Sequence, residues 1–206
     1  MANPDKRGTD ERNAGALLFI SGTEFLLLTM FGEATYPGYS VHANAISDLG
    51  ALGAATFWFY EPAVLVWGLF WFLGAYFFWR NRRRRGSMML GLLPGAGIML
   101  VAAFPENVSI ALHSAGSVLG IFTGIIVVLL SYREVRPPLR FCFLSLGVVS
   151  LVGALVEFGG YNSAFMQQTL GPGGWERAVV YPLLIWEVAF GSYLLSQRKL
   201  AATEPS

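Results

Sequence analysis

Two histidines and a scatter of carboxylates are the side chains that could do chemistry in this chain of 206 residues. His42 and Asp48 lie in the segment YSVHANAISDLG at 39–50, while Glu106 and His113 stand seven residues apart further on. Two imidazoles with several carboxylates make a donor set able to hold zinc or another divalent metal with one position open for water. The metal ligands to test are His42, Asp48, Glu106 and His113, and the acid–base candidates are Asp48, Glu61, His113 and Glu157. The same groups, joined by the short polar side chains of Ser40, Asn44 and Ser47, equally describe a pocket that binds a ligand without turning it over. The chain carries no HExxH, HxxxH, GxSxG or CxxC, so no familiar hydrolase or metal motif selects the catalytic version. Haem held across a bundle needs histidines at similar depth on facing helices, and His42 lies in a connector.

The elements that must position these residues are apolar. Hydrophobic residues make up 54% of the chain and charged residues 13%, against about 25% charge in soluble domains. Six runs, at 14–31, 55–78, 87–104, 108–132, 141–159 and 178–195, are long enough to cross a hydrocarbon core of about 30 Å. They lack the short alternating pattern of a membrane β-barrel. The expected fold is therefore all-α: one polytopic domain over 1–206 with six transmembrane helices and no separate soluble domain. If the N-terminus is cytoplasmic, only Arg177 of the fourteen basic residues falls on the outer side, so both termini are expected to be cytoplasmic. Arg82 to Arg85 then act as a topology anchor against anionic lipid heads, with no exposed basic surface for a nucleic acid. The polar start followed by a full-length apolar run suits a retained signal anchor. The single cysteine, Cys142, excludes an intrachain disulfide.

Four glutamates, Glu24, Glu61, Glu157 and Glu187, lie inside the apolar runs. Ionisable groups at that depth are costly and normally face the bundle interior. On the fourth helix, Glu106, Ser109, His113, Gly116, Gly120 and Gly124 recur three and four apart and form one stripe. The glycines admit a close neighbouring helix, and His113 falls roughly 10 Å below Glu106. Glu61, just before Pro62, and Glu157, above Ser150 and Gly153, are expected to converge with His113 beneath the outer surface. Glu24 and Glu187 lie nearer the midplane and suit a proton or cation path.

The segment at 40–50 reads as a short outer helix or a re-entrant stretch. Ser40 is an N-cap candidate and Gly50 a stop. A helix over 41–49 would gather Ser40, Asn44, Ser47 and Asp48 on one face and turn His42 about 120° away from Asp48. The segment would then be a lid over an outward polar pocket lined by Ser40, His42, Asn44, Ser47, Asp48, Glu61, Glu106, His113 and Glu157.

The pattern YSxHxxxISDLG after the first apolar run, with Phe104-Pro105-Glu106 followed by His113-Ser114, resembles the domain-of-unknown-function 998 family. The resemblance spans roughly 14–198 and implies a six-helix membrane protein of archaeal or bacterial plasma membranes. Ile46-Ser47-Asp48 and Gly50 alone are similar to the DRAM and Frag family of six-helix eukaryotic proteins. Neither resemblance implies a reaction. The residues thus point to a multi-pass protein among membrane lipids whose outward His/carboxylate pocket binds or transports a small ligand, ion or lipid. The alternatives are a metal-dependent lipid-processing enzyme using that pocket, and a sensor or scaffold; the glycine stripe also suits a homo-oligomer.

Overall fold

The computed structural model describes residues 4–81, 90–160 and 163–201. Among these the chain is helical: α1 Pro4–Thr35, α2 Phe57–Asn81, α3 Leu92–Ala103, α4 Ile110–Ser131, α5 Leu139–Gly159, the short α6 Ala164–Gln168, and α7 Gly171–Ala201. α1, α2, α4, α5 and α7 each contain a stretch long and apolar enough to cross a membrane. The third expected span is shorter than its apolar run: α3 has twelve residues, about 18 Å at 1.5 Å per residue. It starts at Leu92, with Pro94 in its first turn where a missing N–H costs nothing, and ends before Phe104-Pro105. The start of the run, 87–89, and the arginines at 82–85 lie outside the described residues.

The long helices and α3 form a closed ring in chain order, α1–α2–α3–α4–α5–α7, with α7 returning to pack on α1. Successive members run antiparallel, as Gly68 facing Met99 while Gly95 faces Phe72 shows for α2 and α3. Small residues allow the closest approaches. A side chain on Gly97 of α3 would strike the backbone of Gly116 and Gly120 on α4, so the stripe on α4 faces a helix as its spacing requires. Large apolar side chains such as Leu27, Phe31, Phe141, Val152 and Leu155 remain exposed around the perimeter, where lipid rather than water is their solvent. The interior holds Trp71, Trp186, Phe143 and Phe190.

The two ends of the ring are fastened differently. At the end carrying the termini, Arg80 pairs with Asp10, and Trp186 Nε1 donates to Ser131 Oγ at 2.8 Å. At the opposite end lies the connector between α1 and α2. It is not the expected helix over 41–49; only Ser47–Gly50 is helical, as a 3₁₀ turn. The backbone groups that would build a helical ladder are engaged elsewhere. Arg177 takes the carbonyls of Val41 and Asn44, Asp48 Oδ2 accepts from Ala45 N–H at 3.0 Å, and Glu176 accepts from Ile46 N–H. Ser40 Oγ accepts from Ala43 N–H, capping a turn instead of a helix. Ile46 and Leu49 are buried and plug the connector into the ring.

Candidate functional site

The α7 start decides the site. Gly171 adopts a positive φ of 70° and Pro172 follows at the first helical position, a pre-organised helix start. A Cβ at Gly171 would also collide with the carbonyl and ring of His42, and Gly173 N–H donates to that carbonyl at 3.2 Å. The connector is thereby laid across the α7 terminus, and Glu176 and Arg177 project from the first turns of a helix.

Arg177 is the centre of a polar knot. Its side chain is 7% exposed. Nε and Nη2 both donate to Glu33 Oε1, at 2.9 and 2.7 Å. Nη2 also reaches Tyr39 OH at 2.6 Å, and Nη1 donates to the carbonyls of Val41, Asn44 and Gly173. Tyr181 OH adds a bond to Glu33 Oε1, while Tyr39 OH donates to Ala45 O at 2.7 Å. Burial holds the Tyr39 phenol well above its ordinary pKa, with the neighbouring Arg177 pulling the other way. Every strong donor of this buried cation has an acceptor, the condition under which a buried charge is tolerated.

Beside the knot lies a cavity of about 350 Å³. The connector contributes Ala45 and Ser47, the α3–α4 turn Glu106, α4 His113, Ser114 and Ser117, α5 Glu157 and Phe158, and α7 Glu176. Three carboxylates from three parts of the chain meet here, and no lysine or arginine is among the lining residues. Ser47 Oγ donates to Glu106 Oε2 at 2.9 Å, and Glu176 accepts from Ile46 N–H, so two of the acids also tie the connector down. Glu157 Oε2 is buried with no hydrogen-bond partner. His113 Nδ1 lies 3.1 Å from Phe104 O. A carbonyl only accepts, so Nδ1 is the donor in this contact.

Of the residues singled out in the sequence, Ser47, Glu106, His113 and Glu157 therefore share this cavity. Asp48 does not line it; its carboxylate accepts from Asn44 Nδ2 and Ala45 N–H within the connector. Ser40 and Asn44 are likewise turn residues, Ser40 N–H donating to Asn44 Oδ1 at 3.0 Å. His42 is exposed and lies against Gly171. The expected convergence of Glu61 with His113 and Glu157 does not form, because the Glu61 carboxyl lies over Gly50, on the α2 side of the 3₁₀ turn. His42, Asp48, Glu106 and His113 are thus not gathered, and among the described residues no three of His, Cys, Asp and Glu converge as a metal-ligand group. Glu176, Ser114 and Ser117 in the cavity wall, and Arg177, Glu33 and Tyr39 in the knot, are polar residues not among those expected from the sequence. The signal that could have found Glu176 and Arg177 was Gly171-Pro172: a helix beginning there carries both residues into the bundle.

Deeper, Glu187 is fully buried and accepts from Trp67 Nε1 at 2.8 Å, and Ser21 Oγ donates to the Trp67 carbonyl at 3.1 Å. One oxygen of Glu187 and one of Glu24 are buried without a partner. These two glutamates sit apart from the carboxylate cavity, on α1 and α7.

A closed ring of antiparallel apolar helices with a polar cavity at one end defines a polytopic α-helical membrane protein. The family model described as a protein of unknown function (DUF998) matches residues 14–193, and the chain belongs to that family. No curated protein and no solved structure matches it.

Proposed function

We propose that this chain is a multi-pass protein of the plasma membrane, with both termini on the cytoplasmic side, that binds a small ligand bearing an ammonium group in the outward cavity between the connector, α4 and α5. The observation that carries the reading is the mismatch of charge and hydrogen-bonding capacity there. Glu106, Glu157 and Glu176 meet without a lysine or arginine among the lining groups, and Glu157 Oε2 is unpartnered. Arg177, the cation nearby, is committed to Glu33. Such a cavity is short of donors and of positive charge, and an ammonium group supplies both. Ser47, Ser114 and Ser117 add polar surface that can orient the ligand.

The test is thermal melting and calorimetric titration of the full chain in nonionic micelles, with methylammonium as probe and acetate as control. Methylammonium is expected to raise the melting temperature and acetate to leave it unchanged. Glu157→Gln is expected to weaken methylammonium binding roughly ten- to hundredfold, the worth of one charge-assisted hydrogen bond. Equal responses to the two ions, or none to methylammonium, would refute the reading.

A second reading, coupled transport, is favoured by Glu187, whose carboxyl holds Trp67 beneath this region. In proteoliposomes, an amine-driven proton flux that survives Gln at both Glu24 and Glu187 would remove it.

A further inference from the structure

The polar cavity does not end at its carboxylates. A narrower cavity of about 70 Å³ shares Ser47, His113, Ser117, Ile121 and Glu176 with it and runs on toward the bundle centre. Its deep walls are Phe25, Tyr60, Val64 and Trp67, with the bare backbone of Gly116 and Gly120 opposite. The polar tips of those aromatics are engaged: Tyr60 OH shares a hydrogen bond with Thr29, and Trp67 Nε1 is held by Glu187. What remains facing the gallery is hydrocarbon and aromatic ring, Phe25 stacking on Trp67 at 4.2 Å between centroids. Nothing there would recognise a polar group, whereas an alkyl chain fits.

The way in is also visible. The connector roofs the cavity with Ala45 and Ser47, but its α4–α5 side is lined by Ile110, Ser114 and Phe158. Ile110 is 59% exposed and Phe158 38% exposed on the perimeter of the ring, and Ser114 is exposed as well. Roughly two turns down α4 from Ser114, Phe122 pairs with the ring of Phe158, with centroids 5.5 Å apart, and closes the seam. The cavity wall on the α4–α5 side therefore includes residues exposed at the perimeter, near the end of the bundle where α4 begins.

Resting on the ammonium reading above, we infer that the ligand is a single-chain amphiphilic amine that enters sideways from the bilayer between α4 and α5. Its ammonium group lies among Glu106, Glu157 and Glu176, and its alkyl tail follows the gallery past Ile121 to Trp67. The distance is short: His113 to Gly120 is seven residues of α4, roughly 10 Å. A gallery so much smaller than the polar cavity suits one chain and not the two of an ordinary phospholipid. Lipid is as apolar as the gallery, so the tail contributes position and selectivity more than affinity.

The experiment uses the full chain in phosphatidylcholine nanodiscs and a straight-chain primary amine with bromine at the tail end, which quenches tryptophan on contact. The alcohol of the same length and bromination is the control. The amine is expected to quench the share of emission that disappears in Trp67→Phe, and the alcohol to quench that share severalfold less. Ile121→Phe, filling the junction of the two cavities, should abolish quenching of Trp67, and Ile121→Val, which leaves the junction open, should behave as the parent. Equal quenching by alcohol and amine, or quenching that survives Ile121→Phe, would overturn the inference. If methylammonium binds but the bromoamine does not quench Trp67, the lateral amphiphile is wrong and the ammonium site stands. If neither binds, both fall.

Discussion

Two groups of acids share one end of this ring and have opposite surroundings. Glu33 has a guanidinium on one of its oxygens and a tyrosine hydroxyl beside it. Glu157 has an oxygen with no partner, beside two more carboxylates and a cavity. The first arrangement is complete within the chain and fixes the connector. The second leaves a buried carboxylate oxygen without a partner in the chain. Acid residues alone do not distinguish a ligand site from a structural one; the supply of donors around them does.

This contrast is best broken at Arg177. Arg177→Met leaves the partly buried Glu33 without its cation and frees the carbonyls of Val41, Asn44 and Gly173, and is expected to cost about 3 kcal/mol, read as a large loss of melting temperature in micelles. Arg177→Lys keeps the charge but not the fork, and should fall between the parent and the methionine variant. Next in size, Gly171→Ala forces a side chain onto a positive φ against His42, and should cost about 2 kcal/mol or more. Ser47→Ala removes the hydrogen bond to Glu106 and should cost about 1 kcal/mol. Glu157→Gln sharpens the comparison from the other side: because no internal partner is lost, melting should change by less than about 0.5 kcal/mol while methylammonium binding falls. A destabilisation as large as that of Arg177→Met would mean that Glu157 is structural after all.

The smallest expected effect is an alkaline one. The Tyr39 phenol is held above its ordinary value by burial, so the folded chain retains that proton better than the unfolded one. Its contribution is fully present below the unfolded value of about 10 and declines as pH rises above it. Melting in alkaline buffers should show a decline that Tyr39→Phe makes shallower.

Much of the frame was legible in residue types alone. The apolar runs mark where each long helix lies, and the glycine stripe on α4 marks the face that meets α3. The stripe also carries His113 into the cavity, and Glu106 precedes it at the α3–α4 turn. The connector was misread because a helical wheel assumes the backbone bonds to itself. Here Arg177, more than a hundred residues later, takes its carbonyls. Arg177 is the one exception to the expected charge asymmetry, and an isolated basic residue on the side where carboxylates collect is a natural partner for an acid there. Glu61 was placed by depth alone. Depth says nothing about azimuth, and its carboxyl turns toward Gly50.

The ring closure of α7 on α1 has a consequence for how the chain is made. Glu33 emerges from the ribosome early, and its cationic partner follows 144 residues later. Without α7, Glu33 lacks its guanidinium partner, the connector has nothing to lie across, and the ring has an open side. The last long helix thus supplies three things together: the cation for Glu33, the terminus across which the connector lies, and Glu176 of the cavity wall.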